Sequence, residues 1–382
     1  MSFLNLKTAA AAVTFAVATM GTAQAADVEI YGLIDEGLMF TQAETDGYVK
    51  QNTARKTHSF TQESGLAGAS RWGLKGGESL GNGYKINFVL EGKFNGDTGS
   101  LGSDNQLFDR DSYLELVTPY GSVQIGRTGL LAGGSHGGIF AGQTNPFGIV
   151  YKNAGAVTVF KDASQRASNM VRYESPNLCG VKILGQYSNG TGLETNDAGN
   201  DALPSSQRDR YAALGVTFSN GGLKVALVGD YYFLNHKEYS SDYDNPRSVS
   251  LAANYDFGGY KIYGGYQRAE NLRSKVFSTS VQRGNADIVM VGASADFGGG
   301  TLMAAAAYGG VKSFTIGKTT KELDAWQVSA GYKYKLSKRT MAYAAVSYRD
   351  ADYTNINKNS DQPTQSTDTK TYQCLMGLQH KF

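Results

Sequence analysis

Apolar and polar residues alternate at every second position along many segments of this chain. In the segment 249–257, Val249 and Leu251 occupy odd positions, whereas Asn254 and Asp256 occupy even positions. Such alternation predicts β-strands with one apolar face and one small or polar face. The same pattern recurs in the segments 181–188, 212–218, 223–233 and 325–335.

Three further features distinguish these strands from those of a soluble sandwich. The segments have roughly the 9–11 residues of a tilted strand that crosses a bilayer. Tyr, Phe or Trp stand near the ends of the apolar faces, as in the aromatic girdles of membrane barrels. Tight turns such as 80–83 and 219–222 alternate with long polar loops. This asymmetry predicts a transmembrane barrel of the outer-membrane type.

This pattern predicts sixteen strands. Because the number of strands is even and both termini lie at the tight-turn end, the sheet can close without an edge. The predicted fold is all-β, a transmembrane 16-stranded antiparallel β-barrel. Barrels of this size leave an aqueous channel, because side chains cannot fill them. The predicted strands are 28–40, 70–78, 84–94, 108–118, 122–127, 169–175, 180–188, 209–218, 223–233, 248–257, 259–268, 286–297, 300–309, 324–336, 339–350 and 371–382.

The first residues of the chain have the composition of a secretory signal. Lys7 precedes the short apolar stretch 8–20, and Ala23-Gln24-Ala25 has the small-x-small pattern of a cleavage site. We therefore expect a signal peptide at 1–25 and a mature barrel at 26–382.

Charge and cysteine content exclude several classes of protein. The chain has 36 Lys plus Arg against 34 Asp plus Glu, a net charge of +2, which argues against a nucleic-acid partner. Two cysteines, Cys179 and Cys374, cannot form a disulfide-rich scaffold or a four-thiolate zinc site. The four histidines are scattered, so we expect no metal site. We also expect no cofactor and no catalytic residue.

Ordered motifs along the mature chain extend this prediction. The chain resembles the trimeric general porins of Gram-negative outer membranes, in the neisserial and related branch. The matching stretches are Ile30–Leu38, Arg71–Gly76 (RWGLKG), Leu80–Gly83, Leu90–Phe94, Leu107–Tyr113 (LFDRDSY), Gly121–Arg127, Asn169–Pro176, Tyr334–Thr340 and the terminal Phe382.

The resemblance implies a function and a set of partners. It implies a water-filled channel in the outer membrane for passive diffusion of small hydrophilic solutes and ions, with no chemistry of its own. It also implies a homotrimer in contact with outer-membrane lipid and lipopolysaccharide. The residues 95–106 would be the latch onto a neighbouring subunit, and Phe382 would be the barrel-assembly signal.

The resemblance also assigns the narrowest part of the channel. The longest connection, about 128–167, would fold into the barrel as the constriction loop. Parity supports an inward side chain for Arg71 but is ambiguous for Arg110, and it favours a subunit-interface position for Arg127. The inward basic ladder would comprise Arg71, Lys75, Arg110, Arg166 and Arg172.

This loop departs from the family pattern, because related loops commonly have carboxylates opposite the ladder. Here Asn145, Pro146, Phe147 and Gly148 stand in that place. The loop has one acid, Asp162, beside Lys161, and one further lysine, Lys152. A positive local potential and a preference for anions follow. The alternative is that Asp104, Asp109 or Asp111 balances the ladder.

Three other functions remain as alternatives. Gly133–Gly137 (GGSHG) matches the nucleophile pattern of hydrolases, but it lacks the strand–turn–helix context that the motif needs. An outer-membrane barrel hydrolase is therefore one alternative. A solute-specific channel with Phe140, Phe147 and Phe160 as an aromatic slide is another, and a surface adhesin that uses the loops is the third.

Overall fold

A computed structural model gives the fold of residues 27–48, 55–103, 106–155, 159–162, 165–191, 208–234, 244–273, 275–277, 279–281, 283–316, 319–356 and 363–382. The predicted signal peptide at 1–25 lies outside the described residues, as does Asp104. Over the described ranges, no helix has the length and apolar character needed to cross a membrane.

The described elements are nineteen strands and two short 3₁₀ helices, at Ala141–Gln143 and Lys152–Gly155. The strands are β1 (Asp27–Tyr48), β2 (Arg55–Ser64), β3 (Arg71–Gly81), β4 (Tyr84–Lys93), β5 (Asp111–Thr118), β6 (Gly121–Gly129), β7 (Arg166–Glu174), β8 (Val181–Ser188), β9 (Arg210–Asn220), β10 (Leu223–Phe233), β11 (Arg247–Asp256), β12 (Tyr260–Glu270), β13 (Lys275–Val276), β14 (Thr279–Ser280), β15 (Asn285–Phe297), β16 (Gly300–Ile316), β17 (Thr319–Lys335), β18 (Thr340–Ile356) and β19 (Pro363–Lys381).

Sixteen of these strands close into an antiparallel barrel, which confirms the predicted fold. β1 pairs with β3 along 27–33 and with β19 along 33–48, and every other barrel strand pairs with its two neighbours in chain order. Closure leaves no barrel strand without a partner on either side, as a sheet in hydrocarbon requires.

Strand lengths differ from the prediction at the long-loop end. β1 continues to Tyr48, and β2 (55–64), which was not predicted, folds back to pair with residues 36–45 of β1. β13 and β14 form a separate small hairpin. The stretch 41–48 is mostly polar on both faces. Alternation therefore cannot reveal it, because the period-two signal arises only where one face is apolar.

The two faces of the wall match the predicted alternation. On β1, Ile30 and Ile34 point outward and are exposed, whereas Leu33 and Asp35 point inward and are buried. Outward aromatics at the long-loop end form a belt, in which the ring centroids of Trp326 and Tyr348 lie 5.1 Å apart.

Candidate functional site

Arg71 and Arg110 meet at one carboxylate on the inward face of the wall. The Nε atom of Arg71 on β3 lies 3.3 Å from Glu91 Oε2 on β4. The Nε atom of Arg110 donates to Glu91 Oε1 at 2.6 Å. Because one carboxylate serves two guanidinium groups, it neutralises only half of their charge.

The position of Arg110 explains why its parity is ambiguous in the sequence. β5 begins at Asp111, so Arg110 precedes the strand and the alternation rule does not apply to it. Its main-chain N–H donates to the carbonyl oxygen of Glu91 at 3.1 Å, and its side chain reaches the Glu91 carboxylate.

Arg166 is the first residue of β7, opposite Gly129, rather than a loop residue. Its charge interacts with those of Arg110, Asp111 and Glu91. Its Nε and Nη2 atoms are enclosed and have no hydrogen-bond partner among the described residues. Since a guanidinium remains charged in proteins, Arg166 adds a positive charge to this part of the wall.

Arg172 and Lys75 occupy different surroundings on the same face. Arg172 Nη1 donates to the carbonyl oxygen of Gly137 at 2.5 Å, and its Nη2 lies 3.3 Å from Glu174 Oε2. Arg172 therefore ties the loop to the wall. Lys75 is exposed and lies 3.1 Å from Glu29 of β1.

Basic residues outnumber acidic ones on the inward face of β3–β8. We call this face the arginine wall. On the strands, six basic side chains stand against four carboxylates, a surplus of two positive charges, and Arg110, Arg166 and Asp109 lie at the long-loop end of this face. The six basic residues are Arg71, Lys75, Lys85, Lys93, Arg172 and Lys182, and the acidic ones are Glu91, Asp111, Glu115 and Glu174.

Loop 3, the segment 130–165 between β6 and β7, packs against the inward faces of the remaining strands. We call these faces, on β9–β12 and β15–β19, the anchor wall. Each of four glycines on this wall leaves a notch for one loop side chain, since a Cβ built there would lie only 2.5–2.8 Å from it. The pairs are Gly215 with Ile139, Gly265 with Thr144, Gly292 with Pro146, and Gly331 with Phe147.

The 145–148 motif shapes the loop for this contact. Asn145 Oδ1 accepts a hydrogen bond from the N–H of Phe147 at 2.9 Å, and Asn145 Nδ2 donates to the carbonyl oxygen of Gly148 at 3.0 Å. Gly148 has a φ of 71°, which glycine adopts without strain. The resulting turn buries Phe147, whose ring packs edge-on against Tyr151.

Lys161 and Asp162 are buried in an ion cluster with Asp230 of β10. Lys161 Nζ donates to Asp162 and, at 3.2 Å, to Asp230 Oδ2, and Tyr232 donates to Asp162 Oδ2 at 2.8 Å. Burial disfavours the ammonium, but the two carboxylates outweigh it and raise the pKa of Lys161. Lys161 thus stays charged at neutral pH, and the cluster anchors the loop with its polar groups away from solvent.

Lys152 is also paired. Its Nζ atom lies 2.9 Å from Glu63 Oε2 on β2, in an exposed ion pair. The N–H of the preceding residue, Tyr151, donates to the carbonyl oxygen of Leu66 at 2.6 Å. The loop therefore contributes little free charge of either sign, and neither Glu63 nor Asp230 is among the site residues predicted from the sequence.

His136 is a titratable group of the loop beside the arginine wall. Its Nδ1 atom lies 3.5 Å from Asp111 Oδ1, and its ring stacks on Tyr113. The bond to Asp111 raises the pKa of His136 above its ordinary value. The surrounding 133–137 stretch is a loop turn, in which the N–H of Gly138 donates to the carbonyl oxygen of Ser135 at 2.7 Å.

The terminal Phe382 lies at the seam between β19 and β1. Its N–H donates to the carbonyl oxygen of Gly32 at 3.1 Å, and it accepts from the N–H of Gly32 at 3.2 Å. Gly32 has no side chain, and the Phe382 ring occupies the space that a Cβ would need. Phe382 thus joins β19 to β1 at this end of the barrel.

Comparisons with known proteins give a consistent result. The model of the Gram-negative porin family matches residues 8–354. An outer membrane porin protein of Bordetella pertussis is 30% identical over 364 residues, which cover 86% of this chain and 90% of the relative. The anion-selective porin from Comamonas acidovorans covers 94% of this chain and 100% of its own, with a TM-score of 0.58 and 21% identity. OmpT of Vibrio cholerae in its trimer form also covers 94% of this chain and 100% of its own, with a TM-score of 0.61 and 16% identity.

Proposed function

Because the chain belongs to the Gram-negative porin family and is an outer-membrane porin, we propose that small hydrophilic solutes and ions diffuse through its channel passively and that anions are preferred. Arg71, Arg110 and Arg166 attract the anion, and loop 3 sets the narrowest cross-section. The channel performs no chemistry on the solute.

The observation that carries this proposal is the difference in charge between the arginine wall and loop 3. The wall has a positive surplus, whereas Lys161 and Asp162 are buried and Lys152 is paired. A narrow pore with walls of low dielectric constant focuses such a field on passing ions. The matching fold of an anion-selective porin supports the same direction.

A solute-specific aromatic slide has less support. Phe140, Phe147 and Phe160 are at most 3% exposed, so loop 3 directs them into the wall rather than into the channel. Passive diffusion governed by size and charge therefore accounts better for the site.

We also propose that three copies assemble and that residues 1–25 are removed during export. The trimer form of one matching structure supports the first proposal, and the Lys7, apolar stretch and Ala25 pattern supports the second. Crosslinking in native membranes and N-terminal sequencing of the mature protein test the two separately.

The reversal potential of single channels in a planar bilayer tests the anion preference. A tenfold KCl gradient across the membrane gives a reversal potential whose sign reports whether chloride or potassium permeates faster. We expect chloride to be faster. A potential of the cation-selective sign would refute the proposal, whereas pore formation itself would remain established.

A further inference from the structure

A second segment folds into the barrel from the long-loop end. β13 and β14 form a hairpin, and we call the described residues of this segment, 271–273, 275–277, 279–281 and 283–284, the mouth hairpin. The N–H of Leu272 donates to the carbonyl oxygen of Gly284 at 2.7 Å, which closes the base of the hairpin between β12 and β15. From this base the hairpin crosses β16 and β17 and reaches β18, a span of roughly 14 Å along the wall.

Three contacts with the anchor wall fix the tip of the mouth hairpin. The Phe277 ring fills a notch at Gly309 of β16, since a Cβ built on Gly309 would lie 2.7 Å from it. Arg349 of β18 donates from Nη1 to the carbonyl oxygen of Phe277 at 3.0 Å, and the hydroxyl groups of Thr279 and Tyr353 lie 2.8 Å apart. Phe277 has a φ of 49°, a left-handed conformation that is unfavourable for a residue with a side chain. The contacts with the wall therefore hold the turn in a shape that the chain alone does not favour.

The wall beneath the hairpin departs from the rule that inward residues of a wide barrel are polar. A patch of inward positions on β15–β18 is apolar, and its large members are at most 2% exposed: Ile288, Val311, Leu323, Ala325 and Ala351. Leu272, Val276 and Phe277 of the hairpin belong to the same buried cluster. Without the hairpin this patch would face the water of the channel. Burial of apolar surface on both sides thus keeps the hairpin inside the barrel.

The other face of the hairpin is polar and faces the channel. Lys275 and Ser280 are paired and exposed, whereas Val276 is buried. The tip lies within the barrel and not above it, because Gly309 is next to Tyr308, which pairs with Trp326 of the outward aromatic belt. Such belts mark the membrane–water interface.

The mouth hairpin and loop 3 narrow the channel at different depths. Gly309 pairs with Ala325 of β17, and Gly331, whose notch holds Phe147, lies six residues farther along that strand. Six residues of a strand span roughly 20 Å. A solute that enters from the long-loop end therefore meets the hairpin first and the Phe147 turn of loop 3 afterwards.

We propose that the mouth hairpin is a second size filter, in series with loop 3 at the long-loop entrance of the channel, and that Phe277 and Gly309 fix its position. The proposal rests on the passive diffusion proposed above, but it does not depend on the preference for anions. Because the pore diameter at each level limits the solute, two narrow levels in series exclude bulky solutes more strongly than one.

Swelling of proteoliposomes that contain the full barrel tests this proposal with two neutral sugars, the trisaccharide raffinose and the pentose arabinose. In Gly309→Val the new side chain displaces the Phe277 ring, and we expect the ratio of the raffinose rate to the arabinose rate to rise about twofold. Phe277→Ala removes the same contact without a steric clash and should also raise the ratio. The control Gly229→Val, on the outward face of β10 where a Cβ meets no atom within 4 Å, should leave the ratio unchanged.

The double variant G309V/F277A distinguishes direct contact from a general loosening of the barrel. Because the two side chains occupy the same space, the double variant should raise the ratio no more than the larger of the two single effects. The reversal potential in a salt gradient should keep its wild-type value in every variant, because the arginine wall is not altered.

The proposal is overturned by an unchanged sugar ratio in either Gly309→Val or Phe277→Ala, by an equal rise in Gly229→Val, or by additive effects in the double variant. A wild-type reversal potential of the cation-selective sign would refute the anion preference alone, and a raised sugar ratio in the two single variants would then still support the size filter.

Discussion

The arginine wall and the anchor wall face each other across the same barrel, but they use charge in opposite ways. On the arginine wall, two guanidinium groups share Glu91 and two donors of Arg166 have no hydrogen-bond partner among the described residues. On the anchor wall, Lys161 is fully enclosed by Asp162 and Asp230. Charge that attracts solute is left incompletely paired, whereas charge that holds the loop is paired and buried.

This difference explains how a loop can narrow the channel without cancelling its selectivity. The side chains of Thr144, Pro146 and Phe147 fill glycine notches, so loop 3 is fixed largely by shape. It brings no carboxylate to the arginine wall, because its one acid, Asp162, lies in the buried cluster. Substitutions in the anchor wall should therefore change conductance, whereas substitutions in the arginine wall should change ion selectivity.

Removing the buried cation has the largest expected effect. Lys161→Met leaves Asp162 and Asp230 buried without their partner, which costs about 3–5 kcal/mol. We expect loop 3 to leave the anchor wall, so that single-channel conductance rises and the open channel becomes noisier. Conductance traces in planar bilayers measure both.

The exposed pair of Lys152 with Glu63 provides the matched control. Lys152→Gln should cost about 1 kcal/mol or less and leave conductance unchanged. The triple variant K161M/D162N/D230N removes all three charges and should restore a quiet channel. Wild-type conductance in Lys161→Met would show that the ion cluster does not hold the loop.

Filling a glycine notch has the next largest effect. In Gly331→Val, the new side chain overlaps the position of Phe147, and overpacking of this kind costs about 1–3 kcal/mol. We expect a smaller rise in conductance than in Lys161→Met, and the addition of Phe147→Ala should partly reverse it. The control is Gly264→Val on the outward face, where a Cβ meets nothing within 4 Å. Additive effects of Gly331→Val and Phe147→Ala would argue against direct contact.

Neutralising the arginine wall tests the other half of the comparison. In R71Q/R110Q/R166Q we expect the chloride-to-potassium permeability ratio to fall by up to about tenfold, because the focusing field is lost. The reversal potential in a salt gradient measures it. K224Q/K261Q/K333Q removes three inward lysines from the anchor wall and should change the ratio less. An equal change in both variants would mean that total charge, and not the arginine wall, sets selectivity.

The sequence predicts the barrel and the arginine ladder for the same reason. Lipid on one side of the wall and water on the other impose a period of two on each strand. Because the apolar residues Trp72 and Leu74 point outward, Arg71 can be assigned to the inward face. The alternation of apolar and polar residues is lost where both faces of a strand meet water. The sequence pattern therefore does not predict β2 or the parts of β1 and β19 next to the long loops.

The docking of loop 3 is not predictable from local pattern. Phe147 meets Gly331, and Lys161 meets Asp230, through contacts between residues far apart in the chain. No residue near the 145–148 motif in the sequence indicates that Pro146 fills a glycine notch on β15 and Phe147 one on β17. Inward parity does place Asp230 in the lumen, but it cannot identify the loop residue that pairs with it.

The smallest expected effect concerns His136, the titratable loop residue beside the arginine wall. Its bond to Asp111 raises its pKa above the usual value of about 6.5. His136 therefore gains its charge as pH falls through this raised pKa and loses it as pH rises. Anion preference should increase as the pH is lowered through this pKa, by about twofold, because a half-exposed charge contributes less than about 1 kcal/mol. Reversal potentials measured across this range should lose the step in His136→Gln and keep it in His58→Gln on β2. A step that survives in His136→Gln would assign the titration to a different group on the wall.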